Sequence, residues 1–103
     1  MSYILSISMF PVDKGESLSR YVSKVSKIID ESGLEYVIAP MATMIESENI
    51  EDLFNIVRMG FESLKEYSNR VYANMAIDYR KSGLGRLNQK VKSLKSKINK
   101  KSE

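Results

Sequence analysis

Pro40-Met41-Ala42-Thr43-Met44-Ile45-Glu46 reads as a strand near the middle of the chain, with a small hydroxyl residue at Thr43 and a carboxylate at its end. Immediately before it, Glu35-Tyr36-Val37-Ile38-Ala39 reads as a second strand. Pro40 cannot donate to a sheet ladder, so it belongs at an edge, at a bulge or in the turn between the two. The stretch is flanked on both sides by helical periodicity, and that placement decides the fold class.

On the N-terminal side, Leu18, Tyr21, Val22, Val25, Ile28 and Ile29 recur at helical spacing. Ser17 is the expected N-cap of this helix, and Gly33 is placed to stop it. On the C-terminal side, Ser47 or Asn49 is the expected cap of a second helix. Its stripe is Leu53, Phe54, Ile56, Val57, Phe61 and Leu64, and it ends near Tyr67-Ser68-Asn69. Beyond the helices lie two outer strands, Tyr3 to Met9, followed by Pro11, and Arg70 to Arg80. A last helix is expected over about residues 84–100, with Leu84, Leu87, Val91, Leu94 and Ile98 spaced as a heptad-like seam.

The order is βαββαβ followed by a helix. It predicts an α+β, ferredoxin-like sandwich, a single domain over residues 1–103 in which two helices cover one face of a four-stranded antiparallel sheet. The helices should cover the more apolar face, formed by Leu5 and Ile7 of the first strand and Val71, Ala73, Met75 and Ile77 of the last. The opposite face then carries Ser6, Ser8, Tyr72, Asn74 and Asp78, suited to a shallow polar ligand surface, a sheet-to-sheet contact or plain solvent. Simple alternation puts Ala42, Met44 and Glu46 on one side of the central stretch and Thr43 on the other, unless a bulge near Pro40 changes the phase.

Composition narrows the chemistry. The chain has no cysteine, which excludes disulfides, thiolate catalysis and Cys-based metal sites, and no histidine, which removes the usual general base and the commonest metal ligand. No apolar run approaches the ~20 residues that span a bilayer. The first residues lack the features of a signal peptide, so a cytoplasmic location is the default expectation. The net charge of +3 conceals an acidic body, −5 over residues 1–79, and a basic end, +8 from Arg80 onward. The lysine-rich end is read first as a solvated face, and nucleic-acid binding through it is the weaker reading. An RNA-binding module of the same βαββαβ order would need aromatics on the open sheet face, where the last strand offers only Tyr72 and no glycine.

Four fragments together resemble the thiamine-binding MTH1187/YkoF-like family. They are Pro11 followed by Ser17-Leu18-Ser19-Arg20-Tyr21-Val22, the stretch Tyr36 to Glu46 with its Met-x-Thr-x-Ile-Glu spacing, Arg70-Val71-Tyr72 with Asp78-Tyr79-Arg80, and Leu87 to Leu94. Ala42 stands where the family usually has glycine, and Tyr79 where it usually has an acidic residue. The resemblance implies a ferredoxin-like fold, homodimers and often homotetramers, and binding of thiamine or its hydroxymethylpyrimidine part without catalysis, cofactor or metal. It makes Glu46 the leading ligand residue, able to pair with the cationic thiazolium or accept from the exocyclic amine. Thr43 is a partner for a pyrimidine nitrogen, and Tyr36 is an aromatic ring able to stack on the ligand. Ser8, Asn74, Asp78 and Arg80 complete the candidate set, with an ion pair between Asp78 and Arg80 as the structural alternative. An RNA-binding or purely structural oligomeric module is the competing function.

Overall fold

The computed structural model describes residues 1–15, 18–87, 94, 95, 97 and 98. Its elements are β1 (Ser2–Pro11), α1 (Ser19–Glu31), β2 (Glu35–Ile38), β3 (Thr43–Ser47), α2 (Ile50–Lys65) and β4 (Val71–Arg80). The strands form one antiparallel sheet in the order β2-β3-β1-β4, so the expected ferredoxin-like α+β fold is the observed one. Ser17, and residues 88–93, 96, 99 and 100 of the expected C-terminal helix, lie outside the described residues.

Residues paired across an antiparallel ladder share a face. The register Leu5 with Ile45 and Ile77, and Ile7 with Thr43 and Met75, therefore defines the helix-covered face. The register Ile4 with Glu46 and Asp78 defines the open one. Leu5, Ile7, Met9 and Ile45 of the sheet pack with Val25 and Ile29 of α1 and Leu53, Ile56 and Leu64 of α2. The helical periodicity thus buries a stripe against the strand alternation, which is the hydrophobic source of the fold.

Local chemistry sets the boundaries. Gly33, with φ of +77°, takes the left-handed conformation that stops α1. α2 carries Glu51 and Asp52 in its first turn and Lys65 in its last, charges that complement the helix dipole. Asn49 occupies the N-cap but makes no side-chain capping bond. Instead, the Ser47 hydroxyl donates to Asp52 (2.9 Å) and accepts from the Asn49 N–H (3.1 Å). At the far end, Asp13 accepts bonds from the Ser68 hydroxyl and the Asn69 N–H, and these hold its carboxyl below the ordinary aspartate range.

Two strand boundaries depart from the expected ones. β1 continues through Pro11, pairing ten residues with β4 from Ser2–Arg80 to Pro11–Val71. β3 begins at Thr43 and not at Met41, because Pro40 and Met41 form a two-residue turn closed by the Ala39 N–H donating to the Ala42 carbonyl (3.0 Å). Neither turn residue has positive φ, so the turn is not one of the primed types that match a sheet's twist, and the hairpin parts from β1 beyond Ile7.

A candidate cleft at the start of the central hairpin strand

The seven candidate residues do not converge on one site. Thr43 and Tyr36 lie on the helix-covered face, opposite Ile7 and Ile45 respectively. Ser8, Glu46, Asn74, Asp78 and Arg80 lie on the open face, where Ser8 pairs with Asn74 and Arg80 with Ser2. The ladder through Thr43–Ser47 runs without a bulge, so Thr43 and Glu46 stay on opposite faces as alternation requires. The Tyr36 hydroxyl donates to Asp30 (2.6 Å), a bond that raises the phenol's pKa and ties β2 to the end of α1. Asp78 receives Arg86 at 2.5 Å instead of the expected Arg80.

Thr43 borders a cleft of about 260 Å³ between α1 and the β2–β3 turn. Val22, Val25 and Ile29 form its helix wall, and Ile38 and Met41 its hairpin wall. The floor is the stretch Ser8–Phe10 of β1. β1 pairs with β3 only from Tyr3 to Ile7, so along Ser8–Phe10 the edge facing the hairpin has no strand partner. The Val12 N–H bonds the Arg70 carbonyl, so Ser8 and Phe10 turn their backbone groups to β4. Along this edge the N–H and C=O of Met9 are the ones that face the cleft, obligatory hydrogen-bonding groups open to whatever enters it. The hydroxyls of Thr43 and Ser26 make no hydrogen bond to another described residue. The cleft is therefore apolar on its walls with a few convergent polar groups, the usual make-up of a small-molecule site.

Glu46 belongs to a different place. It is 3% exposed on a face that neither helix covers, and the chain after β4 buries it. Its carboxylate accepts from the Ser2 hydroxyl (2.5 Å), the Gly85 N–H (3.1 Å) and the Arg86 N–H (3.3 Å). The Arg86 guanidinium donates to the Ser2 carbonyl and hydroxyl and to Asp78. A second cleft, also about 260 Å³, runs beside Glu46 beneath Leu84. Among the described residues no cluster of His, Cys, Asp or Glu is placed to hold a metal ion.

Sequence reasoning missed Ser26 and Arg86. Ser26 had a signal, since it interrupts the apolar stripe at the spacing of Val22, Val25 and Ile29. Arg86 had none, because its partner Glu46 is 40 residues away in the chain.

A family model described as thiamine-binding protein matches residues 5–95. The chain belongs to the thiamine-binding protein family. A UPF0045 protein of Methanothermobacter thermautotrophicus is 35% identical over 83 residues, covering 80% of this chain and 84% of that one. A second, UPF0045 protein CPE1503 of Clostridium perfringens, is 32% identical over 81 residues, covering 78% and 84%. Among solved structures, MJ1052 of Methanocaldococcus jannaschii superposes with a TM-score of 0.81 at 22% identity, covering 90% of this chain and 95% of that one. A Thermotoga maritima protein, named as a candidate thiamine biosynthesis/salvage protein, gives 0.79 at 22% identity and covers 91% and 99%. At these identities the two structures speak for the fold alone. The thiamine-binding protein match takes in β3 whole, with Thr43 at one end and Glu46 near the other. No helix among the described residues is long and apolar enough to cross a membrane.

Proposed function

We propose that this chain is a non-catalytic, cytoplasmic small-ligand-binding protein that takes thiamine or its hydroxymethylpyrimidine part in the Thr43 cleft, as a homo-oligomer. One observation carries the assignment: a cleft on the helix-covered side whose floor is a free strand edge and whose rim is the Thr43 hydroxyl. An aminopyrimidine is a flat ring with apolar faces and a periphery of donors and acceptors. Its faces suit walls such as Val22 and Ile38, and its periphery suits the backbone N–H and C=O of Met9 and the two hydroxyls. The polar groups facing the ring are hydroxyls and amides, which bind without transferring protons near neutral pH. Membership of the thiamine-binding protein family, and the name of the Thermotoga maritima neighbour, support the same ligand class.

Titration calorimetry with thiamine tests this. The wild type should bind. Thr43→Val, which keeps the shape but removes the hydroxyl, should bind about five- to tenfold more weakly, the worth of one hydrogen bond. Ser26→Leu should fill the cleft and abolish binding. No heat with the wild type, or equal affinity in all three proteins, would sink the assignment.

The oligomer is argued from β4. All ten of its residues pair with β1, and among the described residues nothing pairs with its other edge. Met75 and Ile77 lie on the helix-covered face yet are 44% and 41% exposed, so the helices do not reach across β4. A long edge with apolar side chains is a site that soluble proteins cover. A second copy pairing there explains both features and favours a homodimer, with the homotetramer its extension. Light scattering should give a mass of at least twice 11.8 kDa, and Ile77→Lys should reduce it to that of one chain. A monomeric wild type would refute the oligomer.

A further inference from the structure

We infer that Leu84–Leu87 is a hinged strap, latched shut by Glu46 and Arg86, whose opening bares the Glu46 carboxylate on the sheet's open face. The inference concerns the Glu46 side of β3 and does not rest on thiamine being the ligand.

Glu46 and Arg86 together make five polar contacts between the strap and the sheet, and a sixth, from Ser2 to Glu46, within the sheet. The carboxylate takes the Gly85 and Arg86 N–H groups on the strap and the Ser2 hydroxyl on β1. The guanidinium returns the grip, with Nη1 on the Ser2 carbonyl and hydroxyl and Nη2 on Asp78 of β4. The two side chains therefore hold the strap from both directions, one reaching up from the sheet and the other down from the strap.

Apolar burial along it is uneven among the described residues. Leu87 is buried, but Leu84 is half exposed above the second cleft, and no β1–β3–β4 ladder bond passes through the segment. Gly83 and Gly85 flank Leu84, and Gly85 has φ of +95°, so the chain turns here on residues that change conformation at little steric cost. When the strap lifts, water replaces the N–H donors and the sheet keeps its core. Segments with few apolar contacts and solvent-replaceable hydrogen bonds open below the global unfolding free energy.

The latch is electrostatic on its outer side. The Arg86 side chain is 10% exposed but its partner Asp78 is 64% exposed, so that ion pair is open to salt. The opened site presents Glu46 beside Glu35, Glu48 and Asp52 of the neighbouring cleft. The strap supplies that carboxylate with two N–H donors, and its Arg86 guanidinium bonds the same Ser2 hydroxyl that donates to Glu46. It is thus an internal occupant of a position that would otherwise face outward.

Amide hydrogen exchange, resolved by residue on the full chain, tests the strap in the wild type and in Arg86→Ala. In the wild type, Gly85 and Arg86 should exchange at least about tenfold faster than Leu5 and Ile45, yet slower than unstructured amides. Arg86→Ala should speed Gly85 by about a further tenfold, as expected for losing a charged hydrogen-bond partner, and leave Leu5 and Ile45 unchanged. Raising salt from about 0.05 to about 1 M should speed Gly85 in the wild type and not in the variant. Parallel exchange of Gly85 with Leu5 and Ile45 would make the segment part of the core and overturn the inference. So would a Gly85 rate that neither the variant nor salt alters, or a strap without protection in the wild type.

Discussion

Leu53→Ala should lower the unfolding free energy by about 2–5 kcal/mol. Leu53 is fully buried on α2, within the cluster that joins Leu5 and Ile45 of the sheet to Ile29 of α1. Truncation removes three heavy atoms' worth of transfer free energy and leaves a cavity, because the facing strands are fixed by their ladders and cannot collapse inward. A domain of this length holds roughly 5–15 kcal/mol in total, so the variant forfeits a large share of it. The melting temperature should fall by roughly 10 °C or more. Urea unfolding should show a lower midpoint with an unchanged slope. A loss below about 1 kcal/mol would mean that α2 is not seated on the sheet as described.

Gly60→Leu should destabilise by about 1–3 kcal/mol, although leucine is the far better helix former. A Cβ placed at Gly60 would lie 2.8 Å from Sδ and 3.2 Å from Cε of Met9, with Val25 next at 3.8 Å. Met9 is itself buried, so its thioether has to give way before the leucine side chain fits. The glycine gives up about 1 kcal/mol of helix propensity to let α2 come close to β1. Met9→Ala on the Gly60→Leu background should recover part of the loss, because it frees the volume that the new side chain takes. A double-mutant cycle by urea unfolding measures the coupling, and additive losses would show that the two positions are not in contact.

These two positions also show what periodicity can carry. The Leu53 stripe and the Leu5–Ile7 alternation are local patterns, and each fixes its own buried face; the assignment of Thr43 and Glu46 to opposite faces followed from alternation alone. Gly60 falls on the same stripe, yet nothing in its spacing tells a close approach from a weak point in the helix. The candidate site was legible only in pieces. The stretch itself names Thr43 as a candidate, but its cleft depends on where the hairpin leaves the sheet, and a strand running back to Met41 would cover Ser8 and Met9. Glu46 was expected to greet a ligand. It meets Gly85 and Arg86 instead, because hydrogen bonds between segments 40 residues apart leave no trace in either segment's pattern.

The mismatch between the two ladders of β1, ten rungs toward β4 and five toward β3, makes hairpin length a tuning parameter of its own. A β2–β3 hairpin two residues longer in each arm would zip onto Ser8 and Met9 and erase the cleft without altering one lining side chain. A shorter one would widen it. The size of this cleft is adjustable by insertion and deletion, a coarser and more discontinuous route than substitution.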